Sequence, residues 1–198
     1  MRAYGASKLT VVDRFGVYLS GRPIRNAVSR YDSPDVLDVG CGYEATLLRA
    51  LVPIIGSGVG IDSAISDGAK TTPKLRFLEG TAEEKLTTLQ AASFDVVMII
   101  SVLEHLWEPL ATLQACRRAL RPGGTLIVNV PDWLGKEVLE LALFRLKLGA
   151  AEAIDDHKTY YGKRDLWPLL VKSGFKPSRI QMKYHKFGLN LFALAKMP

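Results

Sequence analysis

The sequence predicts an α/β protein: a three-layer sandwich around a mostly parallel sheet of seven strands, with one antiparallel strand supplied by a C-terminal hairpin. Three observations carry this. Between residues 35 and 131, short apolar runs alternate with amphipathic ones, and strands alternating with helices make a parallel sheet covered on both faces. The first run leads through a tight glycine turn, "VLDVGCGYEATLL" (36–48), into a helical pattern. The chain then ends on two β-like runs, "KPSRIQMKYHK" and "GLNLFALAKM", joined by a short Lys-Phe-Gly turn. A hairpin reverses one strand against an otherwise parallel sheet.

Each element follows from its pattern. Residues 9–30 place Leu9, Val12, Phe15, Leu19, Ile24, Ala27 and Val28 at rough helical spacing, and Pro23 should divide them into two short helices. "DVLDVG" (35–40), "GVGID" (58–62), "KLRFLEG" (74–80), "FDVVMIIS" (94–101) and "TLIVNVP" (125–131) read as buried strands. "EATLLRALV" (44–52), "AEEKLTTLQ" (82–90) and "PLATLQACRRAL" (109–120) read as helices, the last stopped by Pro122 and two glycines. Further helices are expected at about 134–150 and 163–173. One domain over residues 1–198 is expected, with N-terminal helices in 1–33 and an insertion over 132–173.

Composition bounds the function class. The 198 residues are 48% apolar and 23% charged, and no apolar run approaches the about 20 residues that span a bilayer. The N-terminus shows no apolar signal region, and Cys41 and Cys116 form neither a disulfide framework nor a metal pair, so a cytoplasmic setting is expected. The net charge of +6 is uneven: residues 145–198 hold 11 basic and 4 acidic side chains. Such an excess suits an anionic acceptor, a membrane surface or nucleic acid, or is simply a solvated face.

The glycine turn is the first chemical signal. Gly40, Gly42 and Ala45 satisfy G-x-G-x-x-G/A, and Asp62 follows Gly40 by 22 residues. Alone, this permits a nicotinamide dinucleotide or S-adenosylmethionine. Asp38, at the strand end, would repel a pyrophosphate but suits a sulfonium or ammonium. With "SVLEHLWEP" (101–109) and "ALRPGGTLIVNVP" (119–131), the chain resembles a class I S-adenosylmethionine-dependent methyltransferase of the small-molecule, type 11/12-like group. The resemblance covers about residues 34–131 and implies a Rossmann-like fold.

It further implies that Asp38, Gly40 and Gly42 surround the methionine part of the cofactor, with Cys41 between them as a small filler rather than a nucleophile. Asp62 would accept from both ribose hydroxyls, which suits a group with two acceptor oxygens. Ile61 and Ser63 would flank the ribose or adenine. Gly80, Thr81 and Ala82 stand where relatives have Gly-Asp-Ala, so the Thr81 hydroxyl or the backbone would have to meet the adenine amine. Ser101, Val102 and Leu103 would line the methionine end. Glu104 and His105 suggest an acid–base pair, but in this family the dipeptide is usually positional.

The acceptor should enter beyond the carboxyl ends of the strands. The long insertion there holds "AIDDHKTYYGK" (153–163), similar to a His-x-x-x-[FY] stretch of sugar- and lipid-directed methyltransferases. His157 is thereby the candidate general base, and His105, Trp107, Asp132, Tyr160 and Tyr161 are candidate acceptor contacts. Asp132, Asp155 and Asp156 lack a ligand spacing, so no metal is expected. The apolar "VLELALFRLKLG" (138–149) packs on the fold or touches a membrane peripherally. The leading expectation is methyl transfer to a small-molecule acceptor, a hydroxyl of a glycan, glycolipid or natural product, possible anionic or lipid-linked forms included. An RNA methyltransferase using the basic tail and a non-catalytic cofactor-binding protein are the alternatives.

Overall fold

The computed structural model describes residues 11–135 and 158–198. Its seven strands are β1 (Asp35–Val39), β2 (Ser57–Asp62), β3 (Leu75–Glu79), β4 (Phe94–Ile100), β5 (Leu120–Pro131), β6 (Ile180–His185) and β7 (Asn190–Lys196). They lie in the order β3-β2-β1-β4-β5-β7-β6. Pairs from β3 through β5 are parallel, and β7 runs antiparallel to both β5 and β6. The described helices are α1 (Val11–Val28), α2 (Thr46–Leu51), α3 (Asp67–Lys70), α4 (Ala82–Thr88), α5 (Pro109–Ala119) and α6 (Lys163–Lys172).

Alternation along the strands sends successive side chains to opposite faces. Leu37, Val39, Val97, Ile99, Val128 and Val130 form one core with Leu86 of α4, Leu113 and Cys116 of α5, and Leu166 and Leu170 of α6. Val36, Val96, Met98, Ile127 and Phe192 form the other, with Ile24 and Val28 of α1 and Leu48 and Leu51 of α2. The strand order turns back between β1 and β4, so a crevice opens at their carboxyl ends.

Two boundaries differ from the expectation. Pro23 does not divide the N-terminal segment; α1 runs through it as one helix. An internal proline costs about 3 kcal/mol. Full burial of Ile24 and Val28, at 1% and 0% exposed, offsets that with roughly 1.5–3 kcal/mol each. At the other boundary, α5 ends at Ala119 and β5 already begins at Leu120, five residues before the expected start at Thr125. Leu120 is buried and pairs with Phe94. A bulge then takes up Arg121–Gly124 before Val96 meets Thr125. Arg121 in that bulge donates to Asp95 at 2.7 Å and Asp35 at 2.8 Å, tying the amino ends of three strands together.

Leu113 is fully buried in the first core. Leu113→Ala is expected to cost about 2–5 kcal/mol in urea unfolding with an unchanged slope.

Candidate cofactor and acceptor site

The glycine turn crosses the crevice at the end of β1. Gly40 and Gly42 hold φ of 75° and 77°, where a side chain is strained. The backbone N–H groups of Gly40 and Cys41 both donate to the Ile61 carbonyl, at 2.8 and 3.0 Å. This pins the turn to β2. A Cβ at Gly40 would overlap Val102 Cγ2, so the turn and the segment after β4 close on each other with no room between. Cys41 is buried with its thiol pushed far up by burial and by the two nearby carboxylates, Asp38 and Asp62, which makes it a filler and not a nucleophile.

Two carboxylates frame this turn. Asp62 is half-buried at the tip of β2; its Oδ2 accepts from Gly42 N at 2.7 Å, and its Oδ1 accepts from Ser63 N at 2.8 Å. Oδ1 also accepts from the Ser63 hydroxyl at 3.2 Å, so Oδ2 is the oxygen that keeps a further lone pair for a ligand hydroxyl. Asp38 is only 1% exposed, and its carboxyl has no hydrogen-bond partner among the described residues. Burial, then the charge of Asp62, pushes its pKa up to about 7. A buried carboxylate without a partner is costly unless a cation meets it. A pyrophosphate would add repulsion, whereas a sulfonium or ammonium would relieve it. The residues present therefore fit S-adenosylmethionine.

The remaining cofactor candidates border the same crevice. Gly80 follows β3 with φ of 145° and donates its N–H to the Asp62 carbonyl at 2.9 Å. Thr81 caps α4: its hydroxyl accepts from Glu84 N at 3.2 Å, and Glu84 reaches back to Thr81 N. Replacing the family's aspartate by threonine thus keeps an N-cap. Ala82 opens α4, half-buried. The Ile61 side chain lies wholly in the core, and Ser63 is exposed. Ser101 is exposed, holds φ of 55°, and donates its N–H to the Asn129 carbonyl at 2.8 Å. Val102 covers Gly40. Leu103 is fully buried and offers the site only its backbone.

On the acceptor side, His157 lies outside the described residues. The chain re-enters at Lys158, whose N–H and that of Thr159 both donate to the Glu104 carbonyl. Tyr160 and Tyr161 are buried, and Tyr161 donates its hydroxyl to the Leu103 carbonyl at 3.2 Å. Burial raises the Tyr161 hydroxyl to about 12. These tyrosines anchor the insertion to the turn after β4. Trp107 is 79% exposed with the Lys158 ammonium over its ring. His105 is half-buried in the 3-10 turn Leu103–His105. Asp132 is half-buried, its N–H bonded to the Leu189 carbonyl at 2.9 Å. Glu104 is 1% exposed with a partnerless Oε2, and burial pushes its pKa up to about 8. Three more polar groups at this edge escaped sequence reading: Asn129, His185 and Lys186.

Comparison with known proteins agrees with this geometry. A family model described as "Methyltransferase domain" matches residues 37–128, the stretch that builds the turn, both carboxylates and the end of β4. This match and those to curated relatives support a class I S-adenosylmethionine-dependent methyltransferase. Among curated relatives, a ubiquinone biosynthesis O-methyltransferase of Idiomarina loihiensis is 38% identical over 112 residues, 50% of this chain and 45% of that protein. The chain thus spans less than half of that relative's length. Among solved structures, a SAM-dependent methyltransferase of Thermotoga maritima aligns over 95% of this chain and 96% of its own at TM-score 0.64 and 18% identity. The methyltransferase CalH in complex with SAH aligns over 96% of this chain and 60% of its own, at TM-score 0.70 and 20% identity. At these identities the structures speak for the fold alone, including the antiparallel β7.

Two outcomes follow for this site. Gly40→Ala should destabilise the protein by about 1–3 kcal/mol in urea unfolding, from the left-handed φ and the clash with Val102. For Asp38 the sign is set by its raised pKa. The folded carboxyl titrates near 7 and the unfolded one near 3.8, so its penalty on folding is absent below the lower value and complete above the higher. Asp38→Asn should therefore raise unfolding stability at pH 8 while weakening S-adenosylmethionine binding at least about tenfold by calorimetry.

Proposed function

We propose that this chain transfers the methyl group of S-adenosylmethionine to a hydroxyl of a small-molecule acceptor. The observation that carries the cofactor half is Asp38, buried and partnerless beneath the glycine turn, with Asp62 at the next strand end. When bound, S-adenosylmethionine supplies an already electrophilic methyl, so the protein's task is alignment. Asp38 would face the cofactor's positive charge, Asp62 the ribose, and the backbone of Gly40–Gly42 and Ser101–Leu103 the methionine end. Holding the acceptor oxygen in line with the methyl and excluding water is worth roughly 7–11 kcal/mol.

The choice of oxygen rests on the Idiomarina loihiensis relative, an O-methyltransferase. Glycan, glycolipid and natural-product hydroxyls all remain within the reading. Among the described residues no helix is long and apolar enough to cross a membrane. The apolar stretch 138–149 and the candidate base His157 lie outside those residues.

The test is direct. Wild type should bind S-adenosylmethionine in calorimetry, and Asp62→Ala should weaken that binding at least about tenfold, by loss of a carboxylate hydrogen bond worth about 1.5–3 kcal/mol. Tritium from a labelled methyl donor should then appear in a hydroxylated small molecule and not in bulk RNA. Label recovered in RNA, or no cofactor binding by wild type, would refute the reading.

A further inference from the structure

The hairpin of β6 and β7 brings an unassigned polar group to the acceptor edge. β6 runs parallel to β5, two positions away, so its C-terminal residue His185 stands at the same carboxyl edge as Asn129. His185 reaches across β7, its ring edge-on to Phe192 at 5.8 Å, and its Nε2 meets Asn129 Oδ1 at 2.8 Å. Asn129 itself is fully buried. Its residue pairs with Ile100, and its carbonyl holds Ser101, the residue beside the methionine end of the cofactor site. His185 is thus linked through Asn129 to Ser101, an expected residue of the methionine end.

The hydrogen bond fixes the imidazole's state. Asn129 Oδ1 can only accept, so Nε2 carries the proton and Nδ1 keeps its lone pair. Nδ1 has no hydrogen-bond partner among the described residues. Asn129 Nδ2 is buried and also partnerless, a donor with nothing to donate to. The open acceptor at this edge is Nδ1, on the half-buried His185, and it suits the proton of a hydroxyl. The turn that follows is strained, with Lys186 and Phe187 at φ of 51° and 59°, as is common where structure serves a site.

We propose that His185, oriented by Asn129, takes the proton of the acceptor hydroxyl during methyl transfer. The step balances. The oxygen–hydrogen bond breaks toward His185 Nδ1, the oxygen–methyl bond forms, and the methyl–sulfur bond breaks with its electron pair going to sulfur. The imidazolium then returns its proton to water. This rests on the methyltransferase reading above and names both its base and its acceptor class.

The charges around His185 set that class. Burial, then Lys186 and Lys183, lower its pKa to about 4; Glu104, across the edge, faces Lys186. Lys183 stands over the Phe192 ring against which His185 packs, and Lys186 follows His185, so two ammonium groups beside the imidazole favour an acceptor that ionises readily. A phenol titrates near about 10, an alkyl alcohol near water at about 15.7. The lysines that depress His185 also favour an oxyanion beside it. The acceptor is thus an aryl or enolic hydroxyl in preference to a sugar hydroxyl.

The test uses catechol and methyl glucoside as probes with the intact chain. Wild type should methylate catechol in preference to methyl glucoside, and His185→Gln should lower kcat about 100-fold or more with KM for S-adenosylmethionine unchanged. Nitrogen NMR should show His185 as the neutral Nε2–H tautomer at pH 7, with its Nδ1 resonance moved by catechol in the presence of S-adenosylhomocysteine. A wild-type rate in His185→Gln, or a His185 resonance unmoved by catechol while S-adenosylhomocysteine binds, overturns this proposal alone. If S-adenosylhomocysteine does not bind at all, the methyltransferase reading falls and this proposal falls with it.

Discussion

Asp38 is a carboxylate buried at the carboxyl end of a central strand, with a second carboxylate close by and no hydrogen-bond donor to meet it. That unmet charge is the constraint the rest of the site is arranged around. Burial of an unpaired carboxylate is costly and raises its pKa, as it does for Asp38, and functional sites are where folds retain such a group. Every neighbouring feature limits what that ligand can be. The turn above is glycine because Val102 leaves no room for a side chain at Gly40. Asp62 is held by Gly42 and Ser63, and so stays fixed at a distance set by the backbone. The crevice lies where the strand order reverses, which is why β1, β2 and β4 all deliver loops to one place.

The acceptor edge obeys a different logic. The residues entering from the insertion do not point freely into solvent. Lys158 and Thr159 bond to the Glu104 carbonyl, Tyr161 to that of Leu103, and Tyr161 N to that of Pro131. The segment is a strap that fixes the turn after β4. Tyr161 spends its hydroxyl on the backbone, which moves the search for acceptor chemistry toward Asn129, His185 and Lys186 on the other side of the edge.

Most of the fold was legible because its signals are local. Apolar runs marked the strands of the parallel sheet, and the glycine turn, Asp38 and Asp62 stood at spacings that physical chemistry constrains. What escaped depended on distant partners. Pro23 reads as a helix break until the burial of Ile24 and Val28 is known. Leu120 reads as the end of a helix until its pairing with Phe94 is seen. Thr81 reads as a stand-in for the adenine-binding aspartate until Glu84 shows its hydroxyl to be a cap. His185 carries no motif, and its meaning comes from Asn129, 56 residues earlier in the chain. The charge surplus of the last quarter was visible, but which lysines face a site was not: Lys186 turns in toward Glu104.

The central claim is that Asp38 awaits a cation. It is tested most directly by counting protons during cofactor binding. Calorimetric titration of S-adenosylmethionine at pH 6.5, in buffers of differing ionisation enthalpy, measures the protons released. With the free carboxyl titrating near 7, binding of a cation should expel about three-quarters of a proton at that pH. The release should fade toward zero at pH 8 and be missing in Asp38→Asn. Binding at pH 6.5 with no proton released, or with the same release in Asp38→Asn, would contradict the account.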